Sequence, residues 1–125
     1  MEEVLAAPMI AEPLTRLMCS PIGDGAAAVL VVSAEKARQF TSKPVFVRAS
    51  VLGSSDKHNP GEAGIVTKVA QKAYSMSGIG PDEVHVVEVH DATAPAELLA
   101  YEELGLCKIG EGGKMIDDGG ASGHG

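Results

Sequence analysis

Three short valine-rich runs punctuate this chain, AAAVLVVS (26–33), PVFVRASV (44–51) and VHVVEV (84–89), and each gives way to a stretch that reads as helix or turn. A run of four to eight apolar residues without strict alternation suits a strand covered on both faces. Strands separated by helices join one largely parallel sheet through right-handed crossovers. The expected fold class is therefore α/β, about three strands alternating with helices in three layers.

The helices carry their own start and stop residues. Ser33 can accept from the first turn of SAEKARQF, with Glu35 early and Arg38 late, as the helix dipole favours. From Gly64, the residues Ile65, Val69, Ala73 and Met76, flanked by Val66 and Ala70, form one face until Gly78 can take a left-handed closing position. APAELLAYEELGL holds Pro95 in its first turn and ends at Gly105. Between the second run and the second helix, SSDKHNPGEAG is dense in turn residues and predicts a surface loop.

The ends read differently. Residues 1–24 contain Pro8, Pro13 and Pro21, which exclude a long helix and predict an extended leading segment. After Leu106 the alternation stops. Residues 107–125 are glycine-rich and predict a mobile tail in which only Lys114-Met115-Ile116 could seed a strand.

A chain of 125 residues with 45% hydrophobic content supports one domain, 1–125. With two Phe, two Tyr and no Trp, its core must come from Val, Leu, Ile, Ala and Met. A net charge of −7 without a basic cluster argues against nucleic-acid and anionic-membrane surfaces. No apolar run approaches the roughly 18 residues that span a bilayer. Cys19 and Cys107 lie far apart, without metal spacing or a secretory segment ahead of them, which points to reduced thiols in the cytoplasm. The histidines and cysteines never fall at ligand spacing, so no metal is expected. Neither GDGAAA nor GEGG makes a phosphate-cradling motif.

Chemistry concentrates at His90-Asp91, where the third run meets the third helix. An imidazole N–H at the C-terminal end of a parallel strand, beside a helix N-terminus, can donate to a developing oxyanion. Asp91 either orients that ring by accepting from its other nitrogen or complements the helix dipole. The plainer alternative is a histidine satisfied by Asp91 in an ordinary turn. Glu97, in the first helical turn, suits dipole compensation. His58 in the loop and His85 in the apolar run show no partner pattern.

CSPIGDGAAAVLVVS (19–33) resembles the segment with which thiolase-like proteins begin the C-terminal half of their two-part fold. VVEVHDATAPAELLAYEELGLCKIGEGG (86–113) is similar to sterol-carrier-type thiolases and thiolase-like lipid-transfer proteins, in which a His-Asp pair ends a strand before an Ala-Glu-Leu-Leu helix closed by Glu-x-Leu-Gly-Leu-Cys. The resemblance covers roughly the whole chain. It implies a three-layer, truncated thiolase C-terminal half and acyl-CoA chemistry: acyl transfer or carbon–carbon cleavage of a coenzyme A thioester. That thioester would be substrate, with no resident cofactor. His90 matches the oxyanion-hole position, and Glu97 recurs in the family's helix and would face the substrate pocket; Asp91 beside His90 keeps both readings, orienting the ring or complementing the helix dipole. His124, in GGASGHG, echoes the family's Gly-His-Pro, whose histidine activates the nucleophile; Gly125 stands where proline is usual, and a mobile tail is the alternative.

The resemblance also sets limits. Thiolases draw their nucleophilic cysteine from the first half of the fold, and Cys19 and Cys107 occupy other positions. Ala92 stands where the nearest sterol-carrier-type pattern has a cysteine with an acid/base role. The chain is thus expected to be a fragment or split subunit that supplies an oxyanion side but no nucleophile. It would bind acyl-CoA once assembled, either as a homo-oligomer or with a separate chain bearing the nucleophile. The competing expectation is a noncatalytic assembly subunit.

Overall fold

The computed structural model describes residues 1–54 and 62–121. Its best-packed part is helical. α3 (Ile65–Ser77) follows Gly64, and its closing residue, Gly78, adopts φ +71°, donating its N–H to the Tyr74 carbonyl at 2.9 Å. α4 (Ala94–Glu103) carries Pro95 in its first turn, where the missing N–H has no helical partner to lose. At its end Gly105 adopts φ +74°; its N–H reaches the Glu102 carbonyl at 3.0 Å, and that of Leu106 reaches Tyr101 at 2.9 Å. This paired closure requires the left-handed residue that glycine supplies. The Tyr74 hydroxyl donates to the Leu104 carbonyl at 2.8 Å and so fastens α3 to the end of α4. Ala70 and Tyr101 are the buried hydrophobic residues of this pair.

A further helix, α5 (Gly112–Asp117), lies within the glycine-rich stretch where only a strand seed was expected. That expectation is corrected by packing. A Cβ at Gly112 would stand 2.9 Å from the Leu98 carbonyl, so only a bare Cα lets α5 begin this close to α4. The Gly112 N–H also donates to Glu102 Oε1 at 3.2 Å. Tertiary contact thus overrides the poor helix propensity of glycine.

The leading segment is likewise more structured than an extended lead-in. α1 (Glu2–Leu5) is one turn long and stops before Pro8, while β1 (Met9–Ala11) and β2 (Leu14–Thr15) pair antiparallel, Met9 opposite Thr15 and Ala11 opposite Leu14. The Thr15 hydroxyl, 2% exposed, donates to the Val4 carbonyl at 2.7 Å and closes α1 over the hairpin. A 3₁₀ turn (Arg16–Met18) follows. Further on, α2 (Ala34–Ala37) is capped as expected, the Ser33 hydroxyl accepting from the Lys36 N–H at 3.3 Å.

The three valine-rich runs are where observation and expectation part. Among the described residues the one sheet is β1–β2, and runs 26–32, 44–52 and 84–89 belong to no ladder. A strand needs a neighbour to take up its N–H and C=O groups, and these runs supply none to one another. Among the described residues the architecture is therefore helices with a small two-stranded sheet, consistent with the α/β class, and no three-stranded sheet is formed. Val29 is 92% exposed and Val45 99%. The end of the second run does rest on α3: a Cβ at Gly53 would stand 2.5 Å from Val69 Cγ2. The accessible surface is 10559 Å², against about 6,300 Å² for a compact monomer of this mass. No helix among the described residues is long and apolar enough to cross a membrane.

Candidate functional site

The turn that carries His90 is tied to a distant part of the chain. Cys19 and Thr93 form an isolated antiparallel bridge, the Ser20 N–H donates to the Ala92 carbonyl at 3.0 Å, and the Ser20 hydroxyl donates to the Asp91 carbonyl at 3.2 Å. These bonds fix the backbone of residues 91–93 just ahead of α4. Thr93 takes the N-cap position without a side-chain cap, its carbonyl accepting from Ala96 at 2.8 Å. His90 is exposed, and no described side chain bonds to its ring. No hydrogen bond from a described residue reaches the Asp91 carboxylate, which is exposed beside His90.

Glu97 is half-buried and accepts a hydrogen bond from the Tyr101 hydroxyl one helical turn later. The two line a cleft of about 360 Å³ beneath the third run, together with His85, Val87 and Met115. His90 is not among its lining residues. Tyr101 is 8% exposed. The hydrogen bond to Glu97, then burial, then the negative charges of Glu97 and Asp91 push its phenol up to about 12. Tyr101 therefore stays protonated, a permanent donor, at any ordinary pH.

Neither cysteine has the setting of a nucleophile. Burial, followed by the charges of Glu102 and Glu111, pushes the Cys107 thiol up and away from the reactive thiolate. The Cys19 thiol, half-buried, donates to the Thr15 carbonyl at 3.6 Å. His124 and His58 lie outside the described residues. Among the described residues no three His, Cys, Asp or Glu side chains gather as a metal site.

Two members of this constellation escape a reading of sequence. Tyr101 was visible in principle, since Glu97 and Tyr101 stand four apart on one helical face. Ser20 had no local signal, because its partner lies 71 positions away.

Residues 53–125 match the thiolase C-terminal domain-like family. The chain belongs to that family. The acetyl-CoA acetyltransferase of Methanocaldococcus jannaschii is 45% identical over 125 residues, covering 94% of this chain and 32% of the relative. The benzoylsuccinyl-CoA thiolase subunit BbsB of Thauera aromatica is 46% identical over 129 residues, 99% of this chain and 33% of the relative. Sterol carrier protein 2 of Rattus norvegicus is 36% identical over 129 residues, 95% of this chain and 24% of the relative. This thiolase C-terminal domain thus spans a third or less of the length of these relatives, and its match to them takes in the His90 turn and all of α4.

Proposed function

We propose that this domain is the C-terminal portion of a thiolase-like acyltransferase, or carbon–carbon lyase, acting on coenzyme A thioesters. In this reading the nucleophilic cysteine comes from residues outside these 125, in the same polypeptide or another subunit. Its thiolate attacks the thioester carbonyl, negative charge develops on the oxygen, and the C–S bond to coenzyme A breaks as the leaving thiolate takes a proton. His90 donates its ring N–H to that oxygen, Asp91 orients the ring, Glu97 faces the same site, and His124 activates the thiol. Coenzyme A thioester is substrate, and no resident cofactor takes part.

The observation that carries this reading is the exposed His90 on a turn whose next two carbonyls are held by Ser20, directly ahead of α4. An oxyanion donor acts best when its position is set before the charge appears, and the Ser20 bonds hold the backbone directly after His90. The surplus accessible surface and the unpaired valine-rich runs support assembly with further chain or with another copy, which would complete a three-layer sheet. The two free cysteines fit a cytoplasmic setting.

A second reading, a noncatalytic assembly subunit, draws on Ala92 and on the raised Cys107 thiol. One experiment separates the two. In the full-length protein or complex that carries this domain, thiolysis of acetoacetyl-CoA is measured for wild type, His90→Ala and Asp91→Asn. His90→Ala should slow turnover by roughly 10²- to 10³-fold with little change in melting temperature, and Asp91→Asn should cost less. The 125-residue chain by itself should give no turnover. Unchanged turnover in His90→Ala would exclude the catalytic reading.

A further inference from the structure

Ser20 makes two bonds to the turn after the third run, and they differ in what they demand of the sequence. Its N–H donates to the Ala92 carbonyl at 3.0 Å, a bond that any residue except proline could supply. Its hydroxyl donates to the Asp91 carbonyl at 3.2 Å, one residue nearer His90, and that bond requires a short side chain with a donor. Successive carbonyls of an extended chain point to opposite edges. Here two of them meet one residue, where the chain bends at Ala92 before α4.

Ser20 is itself held from both sides. Cys19 bridges Thr93, sends its N–H to the Arg16 carbonyl at 3.2 Å and its thiol to the Thr15 carbonyl at 3.6 Å, and the Thr15 hydroxyl reaches Val4 at 2.7 Å. Pro21 keeps Ser20 out of the helical region. The clamp on the turn is anchored in the leading hairpin and not in α4.

We propose that the Ser20 hydroxyl is a positioning group for His90: by holding the carbonyl of the residue after it, the hydroxyl fixes where the exposed imidazole stands ahead of α4. This rests on the reading of His90 as the oxyanion donor. No described side chain bonds to the His90 ring, so its place is set through the backbone that carries it. Ser20 is exposed, and water can replace the bond its hydroxyl gives up. Loss of the hydroxyl therefore displaces the turn more than it destabilises the domain.

Turnover of acetoacetyl-CoA in the full-length protein or complex that carries this domain tests the link to His90. Ser20→Ala should lower kcat on the order of tenfold, below the 10²-fold that an ångström of misplacement can cost, with KM and melting temperature little changed. Ser20→Thr keeps the hydroxyl and should retain most of kcat. In a His90→Ala background Ser20→Ala should change kcat by no more than about twofold, because a group that acts through His90 has nothing left to position. An equal loss in both backgrounds, or a Ser20→Thr protein as damaged as Ser20→Ala, overturns the proposal.

Hydrogen exchange in the same proteins reads the clamp without turnover. The amide of residue 20 is protected by its bond to Ala92, and in Ser20→Ala its protection, corrected for the intrinsic rate, should fall roughly two- to tenfold, the scale of one hydrogen bond. Ser20→Thr should keep it. Unchanged protection in Ser20→Ala shows that the hydroxyl does not hold the turn, and overturns the proposal while leaving His90 as the donor. Full turnover in His90→Ala defeats the oxyanion reading instead, and the positioning role with it, even where protection at residue 20 responds as expected.

Discussion

The segment from α3 to α5 and the three valine-rich runs share one chain, and the runs are the more apolar of the two, yet it is the helices that are packed. α3, α4 and α5 lock together through Tyr74 on Leu104, Gly112 against Leu98, and the buried Tyr101. Each helix satisfies its own backbone and needs a neighbour only for one face. The runs have no such independence. A strand's ladder needs another strand, and Val29, Val45 and Val86 remain 92%, 99% and 80% exposed. The contrast separates segments that satisfy their own backbone from segments that, among the described residues, join no ladder.

The largest effect that tests this contrast sets Tyr101→Ala against Val45→Ser. Thermal unfolding of the 125-residue chain should show Tyr101→Ala costing roughly 3–5 kcal/mol, as for other large buried aromatics. Val45→Ser should stay within about 0.5 kcal/mol. Equal losses would show that the runs are as well packed as the helices. In the assembled protein Val45→Ser should become costly.

A second test uses pH. The Tyr101 phenol titrates near 12 in the folded domain, against 10.0 ordinarily. A raised pKa means that the folded state holds its proton longer than the unfolded chain. The stabilisation is complete below pH 10 and is lost as pH rises from about 10 to 12. Chemical denaturation across that window should show the decline, and Glu97→Gln should shrink it. A flat profile would detach Tyr101 from the helical core. The smallest effect sits at the boundary between the two regions. Gly53→Ala pushes a methyl into Val69 and Ile65, and should cost roughly 1 kcal/mol or somewhat more. No change in melting temperature would mean that the second run is not seated on α3.

Features encoded by neighbours were legible in the sequence. Ser33 as a cap, Gly78 and Gly105 as helix ends, and Pro95 in a first turn each follow from the stereochemistry of one or two residues, and all appear in the structure. The His90 turn was legible as a place, through its position between an apolar run and a proline-started helix. Its fastening was not, because Ser20 is brought there only by the fold. α5 was hidden by its glycines, whose value lies in what they allow to approach rather than in what they prefer. The valine-rich runs are the converse case: strand propensity describes a surface suited to pairing, and among the described residues none of the three joins a ladder.

The hydrogen bonds from Ser20 to residues 91 and 92 also bear on timing. A contact between positions 71 apart closes a long loop, and such closures follow local helix formation because they demand more chain entropy before returning any energy. α3 and α4 can form from nearby contacts while the His90 turn is still untethered. Amide exchange at Ser20 should therefore report the last step of maturation, after the helices are already protected.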